Sequence, residues 1–319
     1  MQWTETGELL VLTSAGAWKY SSDQLTSDQP TPIRDDYSGK VIAVAGTTLF
    51  LSHLDRSVTA LDLITEQERM VLPPSDETSL NIAVSAEGTK LAYVRSSFHP
   101  PVIVSEDNFA IHVLDIRNNR EMQALQAETN RIVALQFSPD GTILGVASTD
   151  KRVRLWDLQE GVELQVFYKE TTWPNSLAFS ADGTMLAIGN VDGTIQLVEV
   201  QSGSTLQSFA AHNGFVISMA FSPDGHLLAS GASDDHAINL WETSTGKLVV
   251  KLEVHQDWIT ALSFSSDGTL LVTASLDETI RTWDTDTWQL DSVVDGYTNR
   301  VTAVAFNPVD EGVIHRHDE

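Results

Sequence analysis

A histidine, a serine and an aspartate, the residue types of a hydrolase triad, occur within 23 residues of one another in this chain, as His212, Ser233 and Asp235. In a serine hydrolase the histidine takes the proton of the serine hydroxyl, and the aspartate orients the imidazole. A second such set follows one repeat later: His255, Ser275 and Asp277. Because a catalyst needs only one set, we interpret both as structural groups that satisfy buried polar atoms inside sheets.

Metal and cofactor chemistry has weak support in the sequence. The segment SDDH (Ser233–His236) contains ligand types, but polar residues are ordinary in a turn and no second cluster completes a ligand set. The tail HRHDE (His315–Glu319) is interpreted as a frayed terminus. No glycine-rich phosphate loop opens a helix. The chain has no cysteine, which excludes disulfides, thiol catalysis and cysteine-bound metals. We therefore predict no metal and no cofactor.

These side chains belong to a repeat of about 42 residues. A five-residue motif recurs as FSPDG at Phe137 and Phe221, FSADG at Phe179, FSSDG at Phe264 and FNPVD at Phe306, with spacings of 42, 42, 43 and 42. Weaker copies lie upstream, at Trp3, Ile42 and Val84. Such a period indicates a repeat architecture. The sequence therefore predicts seven units in one domain over residues 1–319, beginning near residues 3, 42, 84, 137, 179, 221 and 264. The longer interval after residue 84 is explained by extra residues in one loop, FHPPVIVSEDN.

Each unit has the pattern of short β-strands. The apolar runs are rich in Val, Ile, Leu, Thr and Trp and are broken by Gly, Asp, Asn and Ser, whereas no helical period persists. Many runs, such as TILGVAS, are apolar on both faces, which is typical of strands in sheets covered on both sides. Four-stranded sheets packed face to face around an axis meet this requirement.

The tryptophan-containing runs carry a family resemblance. VRLWD ends at Asp157, INLWE at Glu242 and IRTWD at Asp284, in register with the repeat. Over nearly its whole length the chain resembles the WD-repeat β-propeller family, and in its simple repeats it resembles bacterial members. The resemblance implies an all-β fold, a seven-bladed β-propeller of four-stranded antiparallel sheets.

The resemblance also implies a hydrogen-bonded tetrad of His, Ser or Thr, Asp and Trp in each blade. Two tetrads are complete in the sequence: His212, Ser233, Asp235 and Trp241, and His255, Ser275, Asp277 and Trp283. The unit from Phe137 keeps Ser148, Asp150 and Trp156 but has Glu128 in place of the histidine. The unit from Phe179 keeps Asp192, with Asn190 and Val198 in place of the hydroxyl residue and the tryptophan.

The two ends of the chain suggest how the ring closes. Only two residues precede Trp3, whereas VTAVAF at residues 301–306 is a complete innermost strand with no blade after it. We expect this C-terminal strand to complete the first blade, which removes the open edges of a linear stack. The alternative is a truncated array in which the same strand begins an eighth blade.

One set of residues is a candidate binding surface. Six residues before each motif aromatic, directly before an innermost strand, lie Arg131, Trp173, Phe215, Trp258 and Arg300. Equivalent positions in successive blades form a ring around the central channel on one face, which we call the top face. Aromatic residues and arginine are the types that interface hot spots favour. The alternative is that these side chains lie flat and cover neighbouring blades.

Charge narrows the class of partner. The formal net charge of −25 repels nucleic acid and anionic membranes and attracts basic peptides weakly, although solubility alone explains an acidic surface. No apolar run is long enough for a membrane helix, and the N-terminus lacks the pattern of a signal peptide. We expect a cytoplasmic protein, or an extracytoplasmic one if an upstream signal was removed, that is a monomer or part of a larger chain.

The predicted function is that of a non-catalytic scaffold that binds a protein or peptide at the top face. A basic protein or peptide is one of the partners that the sequence allows. The alternative is a propeller enzyme of hydrolase or lactonase type with its site at the channel mouth. Unrepeated polar residues or a carboxylate-bound metal in the channel would favour the enzyme.

Overall fold

The computed structural model describes residues 8–13, 16–21, 31–34, 40–45, 48–53, 55–62, 65, 67–75, 79–96, 110–126, 130–168, 171–294 and 301–303. Within these ranges the regular elements are β-strands. The same residues contain no helix that is long and apolar enough to cross a membrane.

The strands of the described residues form seven four-stranded sheets, numbered here along the chain. Sheet 1 contains β28 (Val301–Ala303), β1 (Glu8–Thr13), β2 (Gly16–Ser21) and β3 (Thr31–Arg34). Sheet 2 contains β4 (Lys40–Ala45), β5 (Thr48–Ser52), β6 (Val58–Asp62) and β7 (Glu68–Leu72). Sheet 3 contains β8 (Ser79–Val84), β9 (Lys90–Ser96), β10 (Ala110–Asp115) and β11 (Arg120–Gln126).

The remaining sheets contain the clearest repeats. Sheet 4 contains β12 (Ile132–Phe137), β13 (Ile143–Ser148), β14 (Arg152–Asp157) and β15 (Val162–Tyr168). Sheet 5 contains β16 (Pro174–Phe179), β17 (Met185–Asn190), β18 (Thr194–Glu199) and β19 (Thr205–Ala210). Sheet 6 contains β20 (Val216–Phe221), β21 (Leu227–Ala232), β22 (Ala237–Glu242) and β23 (Lys247–Glu253). Sheet 7 contains β24 (Ile259–Phe264), β25 (Leu270–Ser275), β26 (Ile280–Asp284) and β27 (Leu290–Val294).

The repeated FSxDG motif forms the turn between the first two strands of a sheet. In sheet 4 the carboxylate of Asp140 accepts hydrogen bonds from the Ser138 hydroxyl at 2.6 Å and from the Thr142 backbone N–H at 3.0 Å. The Ser138 hydrogen bond is the main reason that the pKa of Asp140 lies below its ordinary value. Gly141 has φ +65°, a left-handed conformation that glycine adopts without steric cost. The motif thus builds one tight turn in each of sheets 4 to 7.

The C-terminal strand completes the first sheet. β28 pairs antiparallel with β1, with Ala303 opposite Leu12 and Val301 opposite Thr13. β28 also contacts β24 of sheet 7 and β4 of sheet 2, so it lies between the innermost strands of the last and second sheets. The innermost strands of the other sheets contact one another in chain order, from β4 through β8, β12, β16 and β20 to β24.

The core lies between adjacent sheets. One buried cluster joins Leu155 and Phe167 of sheet 4 to Leu177, Ile188 and Val198 of sheet 5, and comparable clusters join sheets 3 and 4, 5 and 6, and 6 and 7. This packing explains why the strands are apolar on both faces. The all-β fold of four-stranded antiparallel sheets predicted from the repeat is confirmed.

Candidate functional site

Four of the five residues predicted for the top face occupy equivalent backbone positions. The carbonyl oxygen of each accepts a backbone hydrogen bond from the turn between the second and third strands of its own sheet, at 2.9 to 3.1 Å. The donor and acceptor pairs are Thr149 and Arg131, Val191 and Trp173, Ser233 and Phe215, and Leu276 and Trp258. Each therefore lies where an innermost strand begins. The fifth residue, Arg300, lies outside the described residues.

The three aromatic side chains of this set are exposed. Trp173, Phe215 and Trp258 have 45%, 47% and 44% of their surface accessible, and we call these three residues the aromatic arc. Arg131 is exposed beside them on sheet 4. Rings with nearly half of their surface in water retain apolar area that a partner can bury.

Side-chain hydrogen bonds fix the loops that carry the aromatic arc. The Ser233 hydroxyl accepts a hydrogen bond from the Phe215 backbone N–H at 3.0 Å. The Ser275 hydroxyl donates to the Asp257 carbonyl oxygen at 3.0 Å, next to Trp258. These hydrogen bonds fix the backbone of both loops, so a ligand at this surface would have to order little additional backbone.

Charges divide the top face into two parts. On sheets 6 and 7, Asp234 and Glu278 are exposed, and a carboxylate oxygen of Asp257 accepts the Trp258 backbone N–H at 2.8 Å. Asp234 packs against Gly214, where a Cβ atom would lie 2.5 Å from the Asp234 carboxyl carbon. Sheet 4 carries the cations Arg131, Lys151 and Arg152, whereas Lys251 of sheet 6 is paired with Glu253 and Arg281 of sheet 7 donates to Thr279. The acidic part of the top face thus lies beside Phe215 and Trp258.

In sheet 6 the structure links a histidine, an aspartate and a tryptophan through one hydroxyl. His212 Nδ1 lies 2.9 Å from the Asp235 carboxylate, and His212 Nε2 lies 2.7 Å from the Ser230 hydroxyl. Trp241 Nε1 donates to the same hydroxyl at 2.8 Å. The sequence-based choice of Ser233 is wrong, because Ser233 follows β21 and holds the Phe215 loop instead.

Sheet 7 repeats the arrangement with a threonine. His255 bridges Asp277 at 2.9 Å and the Thr273 hydroxyl at 2.8 Å, and Trp283 Nε1 donates to that hydroxyl at 3.1 Å. The choice of Ser275 is wrong for the same reason, since the side chain at the end of β25 bonds the loop before β24. A hydroxyl inside an otherwise apolar strand, as in LLASGA and LLVTAS, was the sequence signal for Ser230 and Thr273, because a buried hydroxyl requires partners.

Sheet 4 satisfies the equivalent aspartate differently. Arg154 on β14 is 5% exposed, and its guanidinium lies 2.7 Å from Asp150 and 3.3 Å from Glu163. Val146 occupies the strand position of Ser230, and Trp156 Nε1 is buried without a hydrogen-bond partner. The sequence analysis did not single out Arg154. Glu128, the residue in place of the histidine, lies outside the described residues.

Sheet 5 has apolar residues at the two positions that hold the hydroxyl residue and the tryptophan in sheets 6 and 7. Ile188 and Val198 occupy the positions of the hydroxyl residue and the tryptophan and are 3% and 0% exposed. Asn190 and Asp192 bond to Thr194 within the turn. The position can therefore be filled by apolar packing alone.

Hydrogen bonding lowers the pKa of the two histidine-bound aspartates. Burial alone would raise the pKa of Asp235, but the hydrogen bond and charge of His212 outweigh burial and place the pKa below the ordinary value. Burial also opposes ionisation of Asp277, yet hydrogen bonds from His255, Thr279 and the Gln256 backbone hold its pKa well below the ordinary range. Both aspartates are therefore bound as carboxylates at neutral pH.

A separate cavity of about 430 Å³ lies at the opposite end of the innermost strands. Phe179, Met219, Phe221 and Phe264 are among its lining residues, with Gln136 on the sheet 4 side. None of the aromatic arc lines it. Among the described residues, no group of three or more His, Asp or Glu side chains is arranged to hold a metal ion.

Comparisons with known proteins agree with the repeat. The WD domain, G-beta repeat, matches residues 119–157, 203–242 and 246–284, and the anaphase-promoting complex subunit 4 WD40 domain matches residues 169–222.

The curated relatives match this chain over about a third of their own length. The chain is 27% identical over 112 residues to a serine-threonine kinase receptor-associated protein of Bos taurus, covering 33% of this chain and 32% of that protein. It is 34% identical over 119 residues to an uncharacterized WD repeat-containing protein of Synechocystis, covering 37% of this chain and 29% of that protein. The chain thus spans about a third of the curated relatives it matches. Each match to the WD domain spans the outermost strand of one sheet and the first three strands of the next, and the chain therefore contains WD repeats between residues 119 and 284.

Proposed function

We propose that this protein is a non-catalytic platform that binds a protein or peptide at its top face. WD40-repeat proteins generally serve as protein-interaction scaffolds. The observation that carries the proposal is the aromatic arc, defined above as Trp173, Phe215 and Trp258 at equivalent positions of three adjacent sheets, each with nearly half of its surface in water.

The geometry suits a partner that crosses several sheets. Adjacent innermost strands contact one another, so Trp173, Phe215 and Trp258 follow one another around the channel, with Arg131 on the preceding sheet. Aromatic and arginine side chains supply most of the energy of many interfaces because they bury a large area with few rotatable bonds. A segment lying across sheets 4 to 7 would contact all four side chains.

A capture experiment with a double variant tests the proposal. Trp173→Ala with Trp258→Ala should reduce the amount of specific partner captured from a lysate of the source organism at least about tenfold, since two hot-spot rings contribute more than about 1 kcal/mol each. The variant should keep the thermal unfolding temperature of the unmodified protein, because the truncated rings are exposed. Unchanged capture by a folded double variant would rule out the top face.

Exposed apolar residues on the outer strands provide the matched control. Leu248 on β23 and Leu290 on β27 are 48% and 42% exposed, close to the exposure of the two tryptophans. Leu248→Ala with Leu290→Ala should leave capture intact. Equal losses in both double variants would indicate adhesion through general surface hydrophobicity, and the proposal would then be wrong.

A further inference from the structure

Two residues of the aromatic arc, Phe215 and Trp258, have carboxylates beside their backbone. Asp234 packs against Gly214, the residue that precedes Phe215. The Asp257 carboxylate is held against Trp258 by the 2.8 Å hydrogen bond from the Trp258 backbone N–H. Glu278 adds an exposed carboxylate in the neighbouring turn of sheet 7. An aromatic face beside a carboxylate attracts a cationic side chain by two separate electrostatic interactions.

Among the described residues, Arg131, Lys151 and Arg152 of the top face belong to sheet 4, two sheets from Phe215. The cations of sheets 6 and 7 near these turns already have partners, since Lys251 pairs with Glu253 and Arg281 donates to the Thr279 hydroxyl. Arg152 already contacts Asp150 at 3.4 Å, within its own sheet. A cationic partner residue is therefore repelled at sheet 4 and attracted at sheets 6 and 7. The net charge of −25 adds a long-range attraction for cationic segments.

We infer that the segment bound at the top face carries lysine or arginine side chains, which lie over sheets 6 and 7 against Phe215 and Trp258 and beside Asp234, Asp257 and Glu278. This inference rests on the proposed function and specifies its partner as a basic peptide segment. The rings supply apolar area and cation–π attraction, and the carboxylates select for positive charge. Neutral or acidic segments of similar hydrophobicity would lack the second interaction.

A random dodecapeptide library displayed on phage tests the inference before any natural partner has been identified. The library is selected on the wild-type protein and, in parallel, on the Phe215→Ala/Trp258→Ala variant. Peptides enriched only on the wild type are synthesised, and their dissociation constants are measured by fluorescence anisotropy. We expect these peptides to contain more lysine and arginine than the unselected library and to bind the ring variant at least about tenfold more weakly.

A charge variant and its control separate specific recognition from general attraction. Asp234→Asn with Asp257→Asn should raise the dissociation constants of the enriched peptides about tenfold. The affinity of this variant should also fall less than that of the wild type when salt is raised from about 50 to 500 mM. Glu160→Gln with Asp286→Asn makes the same change in net charge at exposed turns at the opposite end of the sheets, and it should change affinity less than about twofold.

The outcomes distinguish the inference from the proposed function. Enriched peptides that need the rings but show no excess of basic residues would overturn the inference and leave the proposed function standing. Basic peptides that bind the ring variant as tightly as the wild type would also overturn it, because their binding would be general attraction to an acidic protein. If no enriched peptide depends on the rings, both the inference and the proposed function are wrong.

Discussion

Sheets 6 and 4 have the same four-stranded order, yet they satisfy the polar groups at equivalent positions in different ways. Sheet 6 joins Asp235, His212 and Trp241 through the Ser230 hydroxyl, and every link is between 2.7 and 2.9 Å. Sheet 4 pairs its aspartate with Arg154, and the indole of Trp156 finds no acceptor.

The difference shows which requirement is general. Both sheets provide a hydrogen-bonded cation or histidine for the aspartate that follows the second strand. Among the residues that the structure describes, sheets 6 and 7 also provide a hydroxyl for the tryptophan. Burying a carboxylate without a partner costs more than burying an indole N–H without one, so the aspartate is the group that each sheet must satisfy first.

Removing the cation from sheet 4 should produce the largest effect. Arg154→Met leaves the Asp150 side chain, which is 5% exposed, without its 2.7 Å partner. The free energy of unfolding should fall by about 3 kcal/mol in urea denaturation, because the buried Asp150 carboxylate keeps only the longer 3.4 Å contact with the Arg152 guanidinium and the hydrogen bond from the Arg152 backbone N–H. Arg152→Met is the control, since its side chain is 44% exposed, and it should cost at most about 1 kcal/mol. Equal small losses would show that Arg154 does not replace the histidine.

Removing the shared hydroxyl from sheet 6 should have the next largest effect. Ser230→Ala leaves His212 Nε2 and Trp241 Nε1 without their common partner. We expect a loss of about 2 to 3 kcal/mol in chemical denaturation, with Thr273→Val giving a similar loss in sheet 7. Ser233→Ala removes a single loop hydrogen bond and should cost about 1 kcal/mol. A larger loss for Ser233→Ala would restore the sequence-based assignment.

Acid should remove the contribution of the histidine-bound aspartates to the free energy of unfolding. The pKa of Asp277 in the folded protein lies below its ordinary value of 3.8, so its stabilising effect is complete above about pH 4 and is lost as pH falls through the folded-state pKa. Asp277→Asn should therefore cost about 1 to 2 kcal/mol at pH 7, and the difference from wild type should shrink below pH 3.8. Urea denaturation at a series of pH values measures this difference. A penalty that stays constant from pH 7 to below pH 3 would contradict the assigned role. Asp286→Asn, at an exposed turn, is the control and should cost less than about 0.5 kcal/mol at pH 7.

Giving sheet 4 the missing hydroxyl should have the smallest effect and the opposite sign. Val146→Thr places a hydroxyl in sheet 4 at the position that Ser230 occupies in sheet 6. The new hydroxyl can accept a hydrogen bond from Trp156 Nε1. It can also donate to the carbonyl oxygen of Arg154, as Ser230 does to that of Asn239. Stability should stay within about 0.5 kcal/mol of wild type or rise by up to about 1 kcal/mol. Val153→Thr, at a site 2% exposed, should cost about 1 to 3 kcal/mol. Equal costs at both sites would mean that Trp156 gains no hydrogen bond.

Most of the fold could be predicted from the repeat period, because each repeat contains the strand and turn residues of one sheet. The spacing of the FSxDG motifs places the innermost strands, and the spare strand at residues 301–306 led to the expected pairing with β1. Residue types alone do not choose the hydroxyl members of the two histidine-centred hydrogen-bond chains, because Ser230 and Ser233 lie three residues apart. The usable sequence signal was the apolar context of Ser230 within β21, and the register of β21 against β22 brings its hydroxyl to Trp241.

For the top face, too, the sequence predicted some features and not others. Equivalent repeat positions placed Trp173, Phe215 and Trp258 at one end of the innermost strands, and this followed from counting alone. Whether the rings lie flat or face solvent depends on the loop conformations, which the repeat does not specify. The Arg154 pair was missed because its arginine lies on the third strand, whereas the repeat pattern assigns the histidine role to a residue before the first.

Hydrogen–deuterium exchange of the protein with and without a peptide selected on it tests the central claim most directly. Binding at the top face predicts slower exchange at residues 171–175, 213–217 and 256–260, around the three rings of the aromatic arc, with the turns at residues 138–142 and 180–184 unchanged. Slower exchange confined to those turns, at the opposite end of the innermost strands, would contradict the account.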